Sequence, residues 1–184
     1  MDKKNLFFSF AVIVWMNHST IYAGEAKSSP QSKAGSDMKL TSSAFKPNDP
    51  IPPKFTCEVQ DINPPLTIEG VPQDAKSLAL VIDDPDAPSG SWVHWVVFNI
   101  SPGVQQIPQN SVPGKQGKND FDQLKYGGPC PPAGEHRYFF KLYALDILLN
   151  LPEGITKNKL EEAMQGHIVA RTTLVGVYQK LYDR

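Results

Sequence analysis

Apolar residues along the chain recur in short blocks with a period near two, and Pro, Gly and Asn interrupt them at close intervals. Ser77–Asp83 (SLALVID) is apolar and rich in branched residues, and it stops at Asp83-Asp84-Pro85. Trp92–Ile100 (WVHWVVFNI) is the strongest strand pattern and ends at Ser101-Pro102-Gly103. Arg137–Leu145 (RYFFKLYAL) carries large residues on both faces, as an inner strand does. Met38–Ala44 alternates weakly, and Leu66–Ile68 is a short run between Pro65 and Gly70. Near the C-terminus the period changes. Leu160, Met164, Ile168, Arg171, Leu174 and Tyr178 recur at steps of three and four, which predicts a helix with Thr156 as N-cap and Ile155 stapled to Leu160. Gly166 and Gly176 weaken that helix and allow a break near either. Residues 101–135 offer no convincing regular element, and so long a stretch in a compact domain is usually functional or packed as its own loop layer. The pattern predicts a mainly β single domain with a late helix.

The first residues read as an address. Lys3 and Lys4 precede an apolar run, Leu6–Met16, and Ala23 offers a small residue for cleavage before Gly24. The run falls short of the roughly 20 residues a spanning helix needs. Residues 1–23 are therefore expected to be a secretory signal, residues 24–37 a flexible polar tether, and residues 38–184 the domain. The expected location is periplasmic or secreted. Such a compartment permits a disulfide between Cys57 and Cys130, the two cysteines of the chain. The sequence leaves that bond and two buried free thiols as open alternatives.

Composition narrows the function. Of 184 residues, 18 are Lys or Arg and 19 are Asp or Glu, a formal net charge of −1. That balance excludes a strongly basic nucleic-acid footprint. The chain holds 17 Pro and 13 Gly, which leaves little room for long helices and favours strands joined by structured loops.

Two segments gather ionisable and aromatic side chains. The first is Asp83-Asp84-Pro85-Asp86-Ala87-Pro88, followed by Trp92-Val93-His94-Trp95. The second runs from Tyr126-Gly127-Gly128-Pro129-Cys130-Pro131-Pro132 to Gly134-Glu135-His136-Arg137-Tyr138. Each joins a proline-fixed loop to a strand, so its side chains can be set before a ligand arrives. Together, Asp84-Pro-Asp86-Ala-Pro88, Trp92-x-His94 and Gly134-x-His136-Arg137-Tyr138 resemble the signatures of the phosphatidylethanolamine-binding protein family, which includes the Raf kinase inhibitor proteins. The Tyr126–Pro132 run is similar to its bacterial branch. So are Ile62-Asn-Pro-Pro-Leu66 and the ending Met164-Gln-Gly-His167…Leu174-Val-Gly176-Val-Tyr178. The similarity spans roughly residues 38–182.

The resemblance implies an antiparallel Greek-key β-sandwich with a few peripheral helices, one of them C-terminal. It also implies one small pocket for an anion: phosphate, acetate or a phosphoethanolamine head group. Carried over by motif, the pocket residues are Asp84, Asp86, His94, His136 and Tyr138. Trp92 and Pro88 stand near its wall, Pro131 and Pro132 line the rim, and the backbone N–H of Cys130 is a donor to the anion. Strand alternation sends Arg137 to the face opposite His136 and Tyr138, as an ion-pair partner. Two imidazoles and a phenol offer up to five donors when both rings are charged. Two carboxylates in the same place would repel an anion, so at least one is expected to orient a histidine or to meet the ammonium of a zwitterionic head group. The implied function is a non-enzymatic binding protein of the cell envelope, with peripheral membrane contact allowed. Relatives that inhibit serine proteases or kinases make the loops around 101–135 an alternative working surface.

Other chemistry finds less support. Asp-Pro steps often only cap turns, and a lone histidine in an aromatic strand is usually a core residue. Two histidines and a carboxylate can form a metal triad, but no His-x-His or His-x-x-x-His spacing is present. Asp84 and Asp86, two residues apart on a proline-locked turn, are expected to sit side by side rather than to flank a bond, against glycoside hydrolysis. No Ser or Cys stands in an elbow or triad pattern, so an uncharacterised hydrolase is the weakest reading. No cofactor is called for. Asp83 and His167 read as structural, and Lys115, Lys118 and Lys125 with Asp120 and Asp122 read as a solvated loop.

Overall fold

A computed structural model describes residues 37–181. The expected leader, and the expected tether apart from Asp37, lie outside the described residues.

Among the described residues, eight strands form two antiparallel sheets. The smaller is β1 (Lys39–Thr41), β2 (Leu66–Glu69) and β5 (Gln106–Ile107), in the order β1-β2-β5. The larger contains β3 (Ser77–Asp84), β4 (Trp92–Ile100), β6 (Lys115–Gln116), β7 (His136–Leu145) and β8 (Ile168–Tyr178), in the order β6-β4-β3-β7-β8. After the β3–β4 pair the chain crosses to the small sheet, returns at β6, and only then lays β7 on the other side of β3. That crossover is of the Greek-key kind.

Alternation sorts the side chains into two cores. Leu78, Leu80 and Ile82 of β3, with Tyr138, Phe140 and Leu142 of β7, face the small sheet and meet its Leu40, Leu66, Ile68 and Ile107. Ala79 and Val81 point the other way, onto Leu149, Ile155, Leu160 and Met164. Central strand β3 is therefore buried on both faces, which is why it reads as a near-continuous apolar run.

The helix is shorter than its pattern. Helix α1 spans Lys157–Met164, and Thr156 caps it by accepting a hydrogen bond from the Lys159 N–H. Gly166 then takes φ +79°, the left-handed turn that ends helices. From Ile168 to Tyr178 the chain is strand β8, paired with β7 along its length. The predicted C-terminal helix is thus cut in half, and a strand is the last long element. Steps of four satisfy both periods, so Ala170, Leu174 and Tyr178 can line a strand face as well as a helix face. The branched residues between them (Thr172, Thr173, Val175 and Val177) favour the strand.

The long loop stretch holds only the two-residue strands β5 and β6. Cys57 and Cys130 are bonded, with Cα atoms 5.5 Å apart.

Candidate functional site

One end of the sandwich interior is polar. The row Leu78, Leu80, Ile82 on β3 continues to Asp84, and the row Leu142, Phe140, Tyr138 on β7 continues to His136. Both rows end in ionisable groups that remain buried, Asp84 at 3% and His136 at 7% exposure. A buried charge needs a partner, and each supplies the other: His136 Nδ1 lies 2.7 Å from Asp84 Oδ2. The second carboxylate oxygen, Oδ1, accepts the Asp86 N–H at 2.8 Å. Asp84 therefore orients an imidazole and ties the following turn.

His94 arrives by a different device. Trp95 pairs with Ile82, and Val93 pairs with Asp83, so His94 is an extra residue in β4 with no partner on β3. This bulge breaks alternation and lets two neighbours, His94 and Trp95, both turn inward. His94 donates Nδ1–H to the Gly127 carbonyl at 2.7 Å, and its own carbonyl accepts the Gly127 N–H at 3.0 Å. Burial pushes the His94 pKa below 6.5, partly offset by the Gly127 carbonyl and the charge of Asp84. The ring is neutral at pH 7, which leaves Nε2 as an acceptor.

Tyr138 is fully buried, and its ring meets His94 edge to face at 5.2 Å. Burial first, then the charge of Asp84, pushes its pKa up, so the hydroxyl keeps its proton. Asp84 and the backbone N–H of Cys130 both act on that hydroxyl, but it completes no hydrogen bond of good geometry. The Trp92 Nε1–H is likewise buried without a partner. Unsatisfied buried donors are costly, at about 1–3 kcal/mol each.

Of these groups Asp84, Trp92 and His94 border a cavity of about 340 Å³, which Ala87, Pro88, Ser89, Phe121, Cys130 and Pro132 also line. Of the residues expected from sequence, Asp84, Pro88, Trp92, His94, Cys130 and Pro132 reach its surface. His136 and Tyr138 stand behind Asp84 and His94. Pro131 is buried beside the wall. Asp86 turns away and pairs with Arg137, at 2.8 Å to Nε and 2.7 Å to Nη2, and it also accepts the Arg137 backbone N–H. The Arg137 guanidinium holds the Asp86 carboxyl at about 2, well below the usual range. Arg137 is thus the ion-pair partner that alternation predicts, and it pins the 84–90 turn to the start of β7.

The wall from Gly127 to Cys130 is fixed on its far side. Cys130 is bonded to Cys57, the Cys57 N–H reaches the Pro129 carbonyl, and the Gly128 N–H reaches Asp61 Oδ1 at 2.5 Å. A Cβ on Gly128 would stand 2.6 Å from the Phe55 carbonyl oxygen, so only glycine allows this approach. A Cβ on Gly127 would stand 2.7 Å from the Phe121 ring.

Phe121, Ala87 and Ser89 escaped the sequence reading. Phe121 sits among lysines and aspartates and shows no strand or helix period. Its one local signal is Asn119, whose Oδ1 accepts the Phe121 and Gln123 N–H groups. On the reverse face of β3, Asp83 is fully buried and paired with Lys141 at 2.8 Å and with Lys157. His167 pairs with Asp146 at the surface. Among the described residues, no three His, Cys, Asp or Glu side chains gather in a group that could hold a metal ion.

A β-sandwich with a polar notch at the end of its core, framed by two proline-rich turns, is the architecture these residues define. The family signature described as phosphatidylethanolamine-binding protein matches residues 41–179. A UPF0098 protein of Methanothermobacter thermautotrophicus is 48% identical over 153 residues, 78% of this chain and 99% of that protein. The crystal structure of a phosphatidylethanolamine-binding protein homolog from Chlamydia trachomatis is 46% identical, with TM-score 0.76, covering 78% of this chain and 97% of that one. The E. coli protein YbcL, described as a member of the mammalian family, is 29% identical with TM-score 0.73, covering 79% and 99%. The chain belongs to the phosphatidylethanolamine-binding protein family.

Proposed function

We propose that this is a non-enzymatic binding protein of the cell envelope that takes a small anion, a phosphate or a phosphate-bearing head group, in the cavity beside Asp84 and His94. One observation carries the reading: buried polar groups converge there with hydrogen-bonding capacity unspent. The Tyr138 hydroxyl and the Trp92 indole N–H lack partners. The Cys130 backbone N–H acts on the Tyr138 hydroxyl, and His94, which lines the cavity, keeps Nε2 as an acceptor. Phosphate oxygens would satisfy these donors. Asp84 does not repel the anion as a bare charge, because His136 Nδ1 and the Asp86 N–H already occupy its oxygens.

Absence of chemistry on the ligand is supported by the same residues. Cys130 is spent in the disulfide, and neither imidazole is hydrogen-bonded to a serine or cysteine among the described residues. The disulfide also favours an oxidising compartment, in keeping with a secretory leader.

Titration calorimetry with inorganic phosphate and with phosphoethanolamine tests the proposal. His94 enters neutral and offers an acceptor, so an anion must bring a proton or draw one onto Nε2. Affinity is therefore expected to rise as pH falls from 8 to 6, by up to about tenfold per pH unit for one proton taken up. Tyr138→Phe, which deletes only the hydroxyl, is expected to weaken binding. Calorimetry that detects no heat with either ligand at any pH in this range would remove the proposal.

A further inference from the structure

The Cys57–Cys130 bridge lies at the surface. Cys57 is exposed, and Cys130 is half-buried between two buried prolines, Pro129 and Pro131. Exposed bridges are the ones external thiols reach, and they are the labile members of their class. Nor is this bond alone in joining its two loops. The Tyr126 hydroxyl donates to the Phe55 carbonyl at 2.9 Å, the Cys57 N–H to the Pro129 carbonyl at 3.2 Å, and the Gly128 N–H to Asp61 Oδ1 at 2.5 Å. Phe55 and Tyr126 are also packed in the main core. None of these contacts needs the S–S bond, so the loops have the means to stay together when it opens, and the folded chain can be reduced and reoxidised locally.

The surroundings of Cys57 suit a protein partner. Val59, two residues on, is 61% exposed. Leu181, 45% exposed, is drawn to the same place, because its N–H donates to Glu58 Oε2 at 3.1 Å. The same oxygen accepts the Tyr178 hydroxyl. Glu58 and Asp61, the acids beside Cys57 in the chain, thus accept hydrogen bonds from the protein itself, which softens their repulsion of an incoming thiolate. Apolar side chains left in water gain meaning when they gather beside a reactive atom.

We infer that Cys57–Cys130 is a thiol-exchange site, at which a protein dithiol docks on Val59 and Leu181 and attacks Cys57 Sγ. The partner's thiolate sulfur bonds to Cys57 Sγ as the Cys57–Cys130 bond breaks. The electron pair leaves on Cys130 Sγ, which takes a proton from water. The partner's second thiol then attacks its own half of the mixed disulfide and releases Cys57 as a thiol. This chain gains two electrons and two protons, and the partner leaves as a disulfide. Cys130 also lines the cavity, so exchange removes one tether of that wall and leaves the sandwich core in place. The chemistry is the same whatever the cavity holds.

The test follows reduction of the oxidised protein without denaturant, by alkylating the new thiols and weighing the products. Reduced thioredoxin and dithiothreitol are the two reductants. With either, the rate is expected to rise linearly with reductant and to change little on adding about 1 M urea. A rate that levels off at high reductant and climbs with urea as steeply as global unfolding overturns native-state exchange. Glutathione traps the first step: the mixed disulfide is expected on Cys57, with Cys130 free, and adduct on Cys130 overturns the assignment of the attacked sulfur. Val59→Ser with Leu181→Ser is expected to slow thioredoxin by roughly tenfold and to leave dithiothreitol unchanged. Both side chains are exposed, so the double variant should fold, and circular dichroism checks this. A thioredoxin rate equal to wild type, or a matching loss with dithiothreitol, overturns the docking surface.

Discussion

A single protonation state governs what His94 can do. Its Nδ1–H is committed to the Gly127 carbonyl, and burial holds the ring neutral, so the unliganded protein presents a lone pair where a reader of the sequence would expect a positive charge. The same displacement ties stability to pH. The unfolded chain binds a proton on this residue near 6.5, and the folded chain resists it. Stability from His94 is therefore fully present above pH 6.5 and is lost as pH falls toward the lower folded value. Urea unfolding of the ligand-free protein is expected to show midpoints that fall between pH 6.5 and 5, and His94→Gln is expected to make that fall shallower. Equal slopes for the two proteins would mean that other groups carry the dependence. A bound phosphate is expected to work in the opposite direction, because an adjacent anion favours the charged ring.

Strands show how far the sequence could be read. Strand β4 was legible at both ends, because turn residues bound a strong apolar run. The polar ends of β3 and β7 were legible too, since their apolar rows run straight into Asp84 and His136. Two features were not. The helix pattern across residues 160–178 mixed two periods, and the sequence allowed a break at either Gly166 or Gly176; the backbone conformation of Gly166 decides between them. The bulge at His94 has no local signature, because it arises from pairing with β3 and not from β4 alone. Strand alternation by itself would have sent His94 and Trp95 to opposite sides. Loops behave similarly: Gly127-Gly128 was visible as a motif, while its reason lies in residues far away in sequence, Phe55, Asp61 and Phe121. Gly128→Ala should force the wall away from the Phe55 carbonyl and cost about 1–3 kcal/mol. Thermal unfolding measures this, and an unchanged melting temperature would show that the wall yields freely.

At the scale of the whole molecule, the site is where separate parts of the chain are brought to one place: two turns between strands, one bulged strand and the start of another. The disulfide is the covalent member of that arrangement. It joins positions 73 residues apart, and Cys130 belongs to the cavity wall as well. Cys57→Ser with Cys130→Ser is expected to lower stability by about 2–4 kcal/mol, since the open chain regains loop entropy on unfolding. Calorimetry on the same double variant should also find weaker phosphate binding than the intact protein, because the Gly127–Cys130 wall loses its outer tether. Unaltered affinity would show that the hydrogen bonds to Asp61 and Cys57 suffice. A shared residue has a temporal consequence. While the two thiols are reduced the cavity wall lacks its covalent tether, and their oxidation fixes that wall in the same step that locks the fold.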